Sequence, residues 1–342
     1  TMDPTTLTII WFVLLAVLLA GYAILDGFDL GVGIVHLFAP KGEKERRLAM
    51  NSIGPLWDGN EVWLITFGGA LFAMFPIAYK TIFSGFYVPL FLVLFGLILR
   101  AVSMEFRGKV DVSAWRRFWD VAFFAGSTLA TLIFGVAVGN CIKGIALDDH
   151  YDYTGGLMEL LNPYALAVGV FAVAMFAMHG TLYLYLKTAG DMQRRLRPWM
   201  WRTFFVFLAM FLLVTGWTFA AHGSAAANLD EYRILWVVPI LNVLAIANIP
   251  RAIHQGKAAY AFISSACTIA AFVFLFCVAL FPDIVVAEDP ARSLNLFDAA
   301  SSQRTLTIGL VAVVAGLPFV LAYTAAIYWT FRGKVEINEH SY

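Results

Sequence analysis

The stretch LTIIWFVLLAVLLAGYAILDGFDLGVG, residues 7–33, decides the class of fold. Residues 7–25 carry no charged side chain, and the first acids of the stretch, Asp26 and Asp29, come only near its end. An apolar run of about 20 residues has the length of an α-helix that crosses the hydrocarbon core of a bilayer. The stretch therefore predicts a membrane-spanning helix, over about residues 7–37, that carries acids at membrane depth.

The composition of the whole chain points the same way. Of its 342 residues, 61% are apolar and 13% are charged, and the mean hydropathy is +0.78. A soluble domain has about 45–50% apolar and about 25% charged residues, so a soluble fold is excluded. The 30 Phe and 10 Trp exclude disordered and collagen-like chains, and three cysteines are too few for a disulfide scaffold. A net charge of zero gives no field that would attract nucleic acid.

Further apolar runs predict nine transmembrane helices in all. They cover about residues 7–37, 51–78, 82–105, 117–142, 163–187, 201–222, 233–250, 258–282 and 305–331. Asn162-Pro163 and Ser301-Ser302-Gln303 supply helix-start signals, and Pro282 ends the eighth run. No loop is long enough to fold alone. The predicted fold class is an all-α, polytopic transmembrane bundle, with residues 1–342 as a single integral membrane domain.

The basic residues predict how the bundle is oriented. If the N-terminus lies outside, 18 of the 23 Lys and Arg fall in the inner loops and the tail. The other five lie outside: Lys80, Lys143, Arg233, Arg292 and Arg304. Because inner loops are enriched in Lys and Arg, this distribution predicts an outer N-terminus and, with nine spans, a cytoplasmic C-terminus.

Four acids are predicted to lie at membrane depth: Asp26 and Asp29 on the first span, and Asp58 and Glu61 on the second. The i, i+3 spacing puts each pair on one helix face. At about 1.5 Å per residue, both pairs lie roughly 16–18 Å from the inner surface. Carboxyl groups in a low-dielectric environment can exchange protons near neutral pH, so a proton path is the favoured hypothesis. The alternative is a structural network in which the acids pair with Arg100 or accept bonds from indole N–H groups.

The surroundings of Asp58 suit either hypothesis. Trp57 and Trp63 offer indole donors, and Asn60 offers both donors and acceptors. Gly59 would allow a neighbouring helix to approach closely. The tryptophans could equally be packing residues.

The histidines argue against a haem held by this chain. Only His179 is predicted to lie deep in a span, and a transmembrane b-type haem needs two axial ligands on facing helices. A hydrogen-bonded packing histidine is therefore the favoured interpretation. We expect no metal site and no cofactor bound directly by this chain.

Two segments resemble subunit II of the cytochrome bd-type quinol oxidases. Gly21–Gly33 is similar to the family's DGFDxGVG segment, and Asn51–Thr66 is similar to its second-helix signature. Weaker matches follow in the same order along residues 10–330: Phe83–Tyr87, Arg100, Trp115-Arg116 with Trp119-Asp120, Gly135–Ala137 with Gly139-Asn140, Leu160–Pro163 and Ser301–Leu306.

The resemblance implies a nine-helix, multi-pass subunit of the bacterial cytoplasmic (inner) membrane. Its partner would be a haem-bearing subunit I, which holds two b-type haems, one d-type haem and the quinol-oxidising loop. The heterodimer would oxidise membrane quinol, reduce oxygen to water with protons from the cytoplasm, and contribute to the proton motive force. A structural quinone or lipid and small accessory subunits remain open.

The resemblance also implies roles for individual residues. Asp26, Asp29 and Asp58 match the positions that the family assigns to a proton path through subunit II, and Arg100 matches a polar position nearby. Glu61 departs from the family, since many relatives have Gln there.

Two other classes of protein remain as alternatives. A proton-coupled secondary transporter also has acids near the midplane, but it usually shows related features in both halves of the chain. A purely structural subunit would only stabilise its partner.

We further expect Gly31 and Gly33 to be sites of close packing with the partner, because helices in lipid associate through small residues.

Overall fold

The computed structural model describes residues 3–336, so the terminal residues 1–2 and 337–342 of the predicted single domain lie outside it. The described chain is built of α-helices. They are α1 (Pro4–Val35), α2 (Gly42–Ile53), α3 (Trp57–Met74), α4 (Pro76–Gly85), α5 (Tyr87–Arg107), α6 (Ser113–Lys143), α7 (Leu157–Leu160), α8 (Pro163–Lys187), α9 (Gly190–Ala221), α10 (Ala227–Glu231), α11 (Val237–His254), α12 (Ala258–Leu280), α13 (Leu296–Ala299) and α14 (Gln303–Thr330). One small antiparallel pair of strands, β1 (Asp283–Val285) and β2 (Leu294–Asn295), completes it.

Helix starts follow the capping signals in the sequence. The Asn162 side chain accepts a hydrogen bond from the backbone N–H of Ala165, with Pro163 in the first turn. Ser302 caps α14 in the same way by accepting from the N–H of Thr305. Such caps satisfy backbone donors that have no partner within the helix.

Eight helices in the described chain are long and apolar enough to cross a membrane, against the nine that the sequence predicts. They are α1, α5, α6, α8, α9, α12, α14 and the segment Arg233–His254, which contains α11. The remaining prediction, one helix over 51–78, is wrong in its boundaries. Pro55 and Pro76 lack the backbone N–H that would continue a helix, and the run is divided into α2, α3 and α4. α3 has 18 residues, but its first turns carry polar side chains.

α8 is the central helix of the bundle and contacts α1, α6, α9 and α12. In its most apolar stretch 67% of the residues are buried, against only 6% in α14, which packs at the edge on α1 and α3. Close contact of α1 with α8 depends on glycine, because a Cβ at Gly31 would lie 1.9 Å from the carbonyl oxygen of Phe176. At Gly33 the same atom would lie 2.0 Å from Ser127 Oγ of α6. Both glycines therefore pack inside this chain, and the expectation that they face a partner is wrong.

The two ends of the bundle differ. At one end, which we call the α2 end, lie His36, α2, the α5–α6 loop and the start of α9. At the other, the cap end, residues 144–162 and 283–302 fold over the helices through a bridge between Ile145 and Ala287. Lys80 and Asp152 form an ion pair of 2.7 Å at the cap end.

Candidate functional site

The buried acids are placed by the inner half of α1. Asp26 and Asp29 are both fully buried, one helical turn apart on the same face, as their spacing predicts. α3 packs beside α1 and brings Asn60 to this part of it, and α5, which packs on α6, reaches it through the long side chain of Arg100. Burial of a carboxyl group at this depth requires a partner, because an isolated charge loses its hydration.

Arg100 of α5 is the partner of two acids. Its Nη1 donates to Asp26 Oδ1 at 2.6 Å, and its Nη2 donates to Glu61 Oε1. The guanidinium group is fully buried, and Asp26 with it, whereas Glu61 is partly exposed. One arginine thus bridges α1 and α3, and two carboxylates share a single positive charge.

Asp29 has a neutral partner. Asn60 of α3 donates from Nδ2 to Asp29 Oδ2 at 2.7 Å, and Tyr328 of α14 donates to Asn60 Oδ1 at 2.9 Å. Asn60 is buried and joins α1, α3 and α14. The sequence offered no signal for Tyr328, which lies almost 270 residues away from Asn60.

Asp58 does not join this cluster. It lies in the first turn of α3 on the side that the chain leaves exposed, as does Gly59, where a Cβ would meet no other atom. Gly59 therefore makes no close helix contact within this chain. Trp57 and Trp63 are half-buried, and Trp63 packs against Gly21 of α1. Neither indole donates a hydrogen bond within residues 3–336, so here they act as packing residues.

Several buried polar atoms of the cluster have no hydrogen-bond partner within the described chain. They are Tyr22 Oη, Asp26 Oδ2, Asp29 Oδ1 and Arg100 Nε. Nearly all buried polar groups in proteins are bonded to protein or water. The pairing of Asp26 and Glu61 with Arg100 matches the structural alternative. The unpartnered oxygen of Asp29, Oδ1, has lone pairs that can accept a proton or a hydrogen bond from a water molecule.

His179 is engaged on both ring nitrogens. Nε2 donates to the carbonyl oxygen of Ile24 at 3.1 Å, Nδ1 lies 2.6 Å from Ser265 Oγ, and the ring stacks on Phe262 at 4.6 Å. With both nitrogens bonded, neither is free to bind a haem iron. Within residues 3–336 no group of three or more His, Cys, Asp and Glu is arranged to hold a metal ion.

Sequence reasoning missed a second buried cluster, at the α2 end. Asp120 of α6 is 1% exposed and accepts from His36 Nε2 at 2.7 Å, Arg46 Nη1 at 2.9 Å and Arg107 Nε at 2.7 Å. Arg107 also forms a bidentate pair with Glu43, both bonds at 2.8 Å, and this hydrogen bonding lowers the pKa of Glu43. The signal that could have found it is the spacing of seven residues from Asp29 to His36, which puts His36, the residue directly after α1, on the same side of the helix as Asp29.

Comparison with known proteins agrees with the fold and with the motifs. The family model for cytochrome bd terminal oxidase subunit II matches residues 7–331. The chain is 37% identical to cytochrome bd-I ubiquinol oxidase subunit 2 of Escherichia coli K12, with 99% of each chain covered. It is 33% identical to cytochrome bd ubiquinol oxidase subunit 2 of Bacillus subtilis, with 96% of this chain and 97% of that one covered.

A solved structure, the bd oxidase from Geobacillus thermodenitrificans, contains a chain with the same fold. The TM-score is 0.77 over 95% of this chain and 98% of that one, at 16% identity. The family match over nearly the whole length, together with these full-length relatives, establishes the class of protein. This integral membrane chain of the bacterial inner membrane belongs to the family of cytochrome bd terminal oxidase subunit II, one subunit of a multi-subunit oxidoreductase.

Proposed function

We propose that this subunit supports a haem-bearing subunit I and carries protons from the cytoplasm toward the site where the partner reduces oxygen to water. The single observation that carries the proposal is the fully buried Asp29, which has a neutral partner and one unpartnered oxygen. An acid without a fixed counter-ion can change its protonation state at smaller cost than one in an ion pair. The relatives named ubiquinol oxidase subunit 2 support a quinol as the reductant of the complex.

The acids divide into two kinds in this proposal. Asp26 is paired with the cation of Arg100, whereas Asp29, which has no counter-ion among its hydrogen-bond partners, is the group that exchanges its proton. Asp58 lies at the exposed surface of α3, three residues from Glu61, and hands protons across to the partner. Glu61 shares Arg100 with Asp26 and adds a carboxyl group to the route.

The partner would cover the outward face of α3. Asp58, Val62, Ile65, Gly69 and Phe72 are all exposed and are spaced by four and three residues in turn. This spacing forms one stripe along a helix, of the kind that a second helix packs against. An acid at membrane depth is costly against lipid, so a protein chain is the favoured neighbour of Asp58.

The proposed orientation places the α2 end in the cytoplasm and the N-terminus outside, with α3 as a ninth span. The basic residues support this, because Arg46, Arg107, Arg116 and Arg195 gather at the α2 end. The 18 residues of α3 extend about 27 Å, close to the thickness of the hydrocarbon core.

A secondary transporter finds no support. The names of the full-length relatives are those of oxidase subunits. The four acids all lie in the first half of the chain, on α1 and α3. A transporter usually shows related features in both halves.

Asp58→Asn in the assembled complex tests the proposal, because it keeps the size and the hydrogen bonding but removes the exchangeable proton. We expect quinol oxidase turnover to fall at least about tenfold, which is about 1.4 kcal/mol on the limiting barrier. Haem content and the optical spectrum should remain normal. Full turnover with intact haems would reject a path through Asp58, and a parallel loss of haem and turnover would favour a purely structural subunit.

A further inference from the structure

One face of α1, extended by His36 directly after the helix, carries four polar side chains in a row that Gly33 interrupts once. Tyr22, Asp26, Asp29, Gly33 and His36 are spaced by four and three residues in turn, which keeps them within one narrow stripe of a helix. We call this row the α1 stripe. It extends about 21 Å from Tyr22 to the α2 end. It packs against α6 at both ends.

The contacts with α6 fix the register of the α1 stripe. The Tyr22 ring packs edge-on against Phe134, with 5.5 Å between centroids, and the His36 ring packs edge-on against Phe123 at 5.1 Å. The two ends of the stripe are therefore buried against α6, and between them Asp26 and Asp29 are buried against Arg100 of α5 and Asn60 of α3. Polar atoms along it can be satisfied only by protein or by water.

Unpartnered polar atoms follow the α1 stripe from end to end. Tyr22 Oη, Asp26 Oδ2, Asp29 Oδ1 and His36 Nδ1 are each buried and have no hydrogen-bond partner within the described chain. Ser127 Oγ of α6 is also buried and has no hydrogen-bond partner within the described chain. Because buried polar atoms are bonded in nearly all proteins, a row of five along one seam points to a chain of bound water.

Ser127 fills the one gap in the α1 stripe. A Cβ at Gly33 would lie 2.0 Å from Ser127 Oγ, so the hydroxyl occupies the space that a larger residue would take. This puts a hydroxyl group between Asp29 and His36. Along the axis of α1, Gly33 is about 6 Å from Asp29 and about 4.5 Å from His36. The route inferred below places one bridging water in each of these gaps.

Asp120 determines which ring nitrogen of His36 carries the hydrogen. A carboxylate oxygen of Asp120 accepts from Nε2, so the hydrogen of the neutral ring lies on Nε2 and Nδ1 is left as an acceptor. Arg46 and Arg107 fix Asp120 in turn. Arg46 is partly exposed, which brings the cluster to the surface of the α2 end.

We propose that protons reach Asp29 along the α1 stripe, with His36 as the uptake residue and Ser127 as the bridge between them. The inference rests on the proposed function. His36 Nδ1 takes one proton from cytoplasmic water, and the imidazolium stays hydrogen-bonded to Asp120, the carboxylate that also accepts from Arg46 and Arg107. Glu43, bound to Arg107, adds a second carboxylate to this group of cations. The proton then passes by water beside Ser127 Oγ to the carboxylate of Asp29. His36 returns to its neutral form, and no electron moves.

Two variants of the intact complex test this route. His36→Gln keeps a donor for Asp120 but cannot take up a proton, and Ser127→Cys fills the place of the hydroxyl with a weak hydrogen-bonding group. Thr128→Val is the matched control, because the Thr128 hydroxyl is on the next residue of α6 and donates to the carbonyl oxygen of Phe124 in its own helix. Proton uptake is followed with a pH-sensitive dye during oxygen reduction and is expressed per assembled haem.

We expect uptake to slow at least about tenfold in His36→Gln and by a smaller factor in Ser127→Cys, with Thr128→Val unchanged. If His36→Gln does not assemble, the uptake rate of Ser127→Cys decides alone. Normal uptake in the variants, while Asp29→Asn is blocked, would overturn the α1 stripe and leave the proposed function intact. Normal uptake in Asp29→Asn would contradict the proposed function itself.

Discussion

Arg100 distinguishes the acids of the buried cluster by the partners that they have. Its guanidinium group binds Asp26 and Glu61 together, whereas Asp29 is bound by the neutral Asn60. The i, i+3 spacing predicted correctly that Asp26 and Asp29 share a face. It could not predict that Asp58 points away from the bundle, because the direction of that face depends on how α3 packs against α1.

Glu61→Gln separates charge from geometry at the residue scale. Glutamine can still accept from Arg100, and the Asp26–Arg100 pair then balances without a second carboxylate. We expect the complex to assemble with normal haem content and to keep at least about half of its turnover, a change of about 0.4 kcal/mol or less on the limiting barrier. Oxygen consumption by the purified complex measures this. A tenfold loss would show that Glu61 is an obligatory carrier.

At the scale of the element, α1 follows its sequence more closely than α3 does. The apolar run and its acids determine where α1 spans and which face is polar. The predicted helix over 51–78 is divided at Pro55 and Pro76, because proline interrupts the backbone hydrogen bonding of a helix. A hydropathy pattern carries no information on that interruption. Tertiary contacts such as Asn60 to Tyr328 join residues far apart in sequence, so no local pattern could indicate them.

Two glycine substitutions distinguish internal packing from the partner surface. Gly31→Leu places side-chain atoms against the backbone of α8, whereas at Gly69, on the exposed stripe of α3, a Cβ meets no other atom of this chain. We expect Gly31→Leu to prevent folding of the subunit. Gly69→Leu should leave the subunit folded but lower recovery of the complex with subunit I.

Tagged purification of the two subunits, with trypsin resistance as the measure of folding, checks both outcomes. Normal recovery of the complex in Gly69→Leu would show that the outward face of α3 contacts lipid. A folded Gly31→Leu subunit would contradict the packing of α1 against α8.

The whole molecule has two different ends, the α2 end and the cap end, and thiol labelling tests which side of the membrane each end faces. A cysteine in place of Asp149 at the cap end should react with an impermeant thiol reagent in intact cells, in a background where the native cysteines are replaced. A cysteine in place of Arg194, near the start of α9, should react only after the cells are opened. Both positions are exposed, so the bilayer alone separates the outcomes. The reverse pattern would invert the proposed orientation.

The central claim for the whole molecule is that Asp29 carries protons from the cytoplasm to the partner's oxygen chemistry. The most direct test is the rate of proton uptake by the Asp29→Asn complex during a single turnover with oxygen. We predict uptake at least about tenfold slower than in the unaltered complex, about 1.4 kcal/mol on the barrier, with the haem spectrum unchanged. Uptake at the normal rate in this variant would contradict the account.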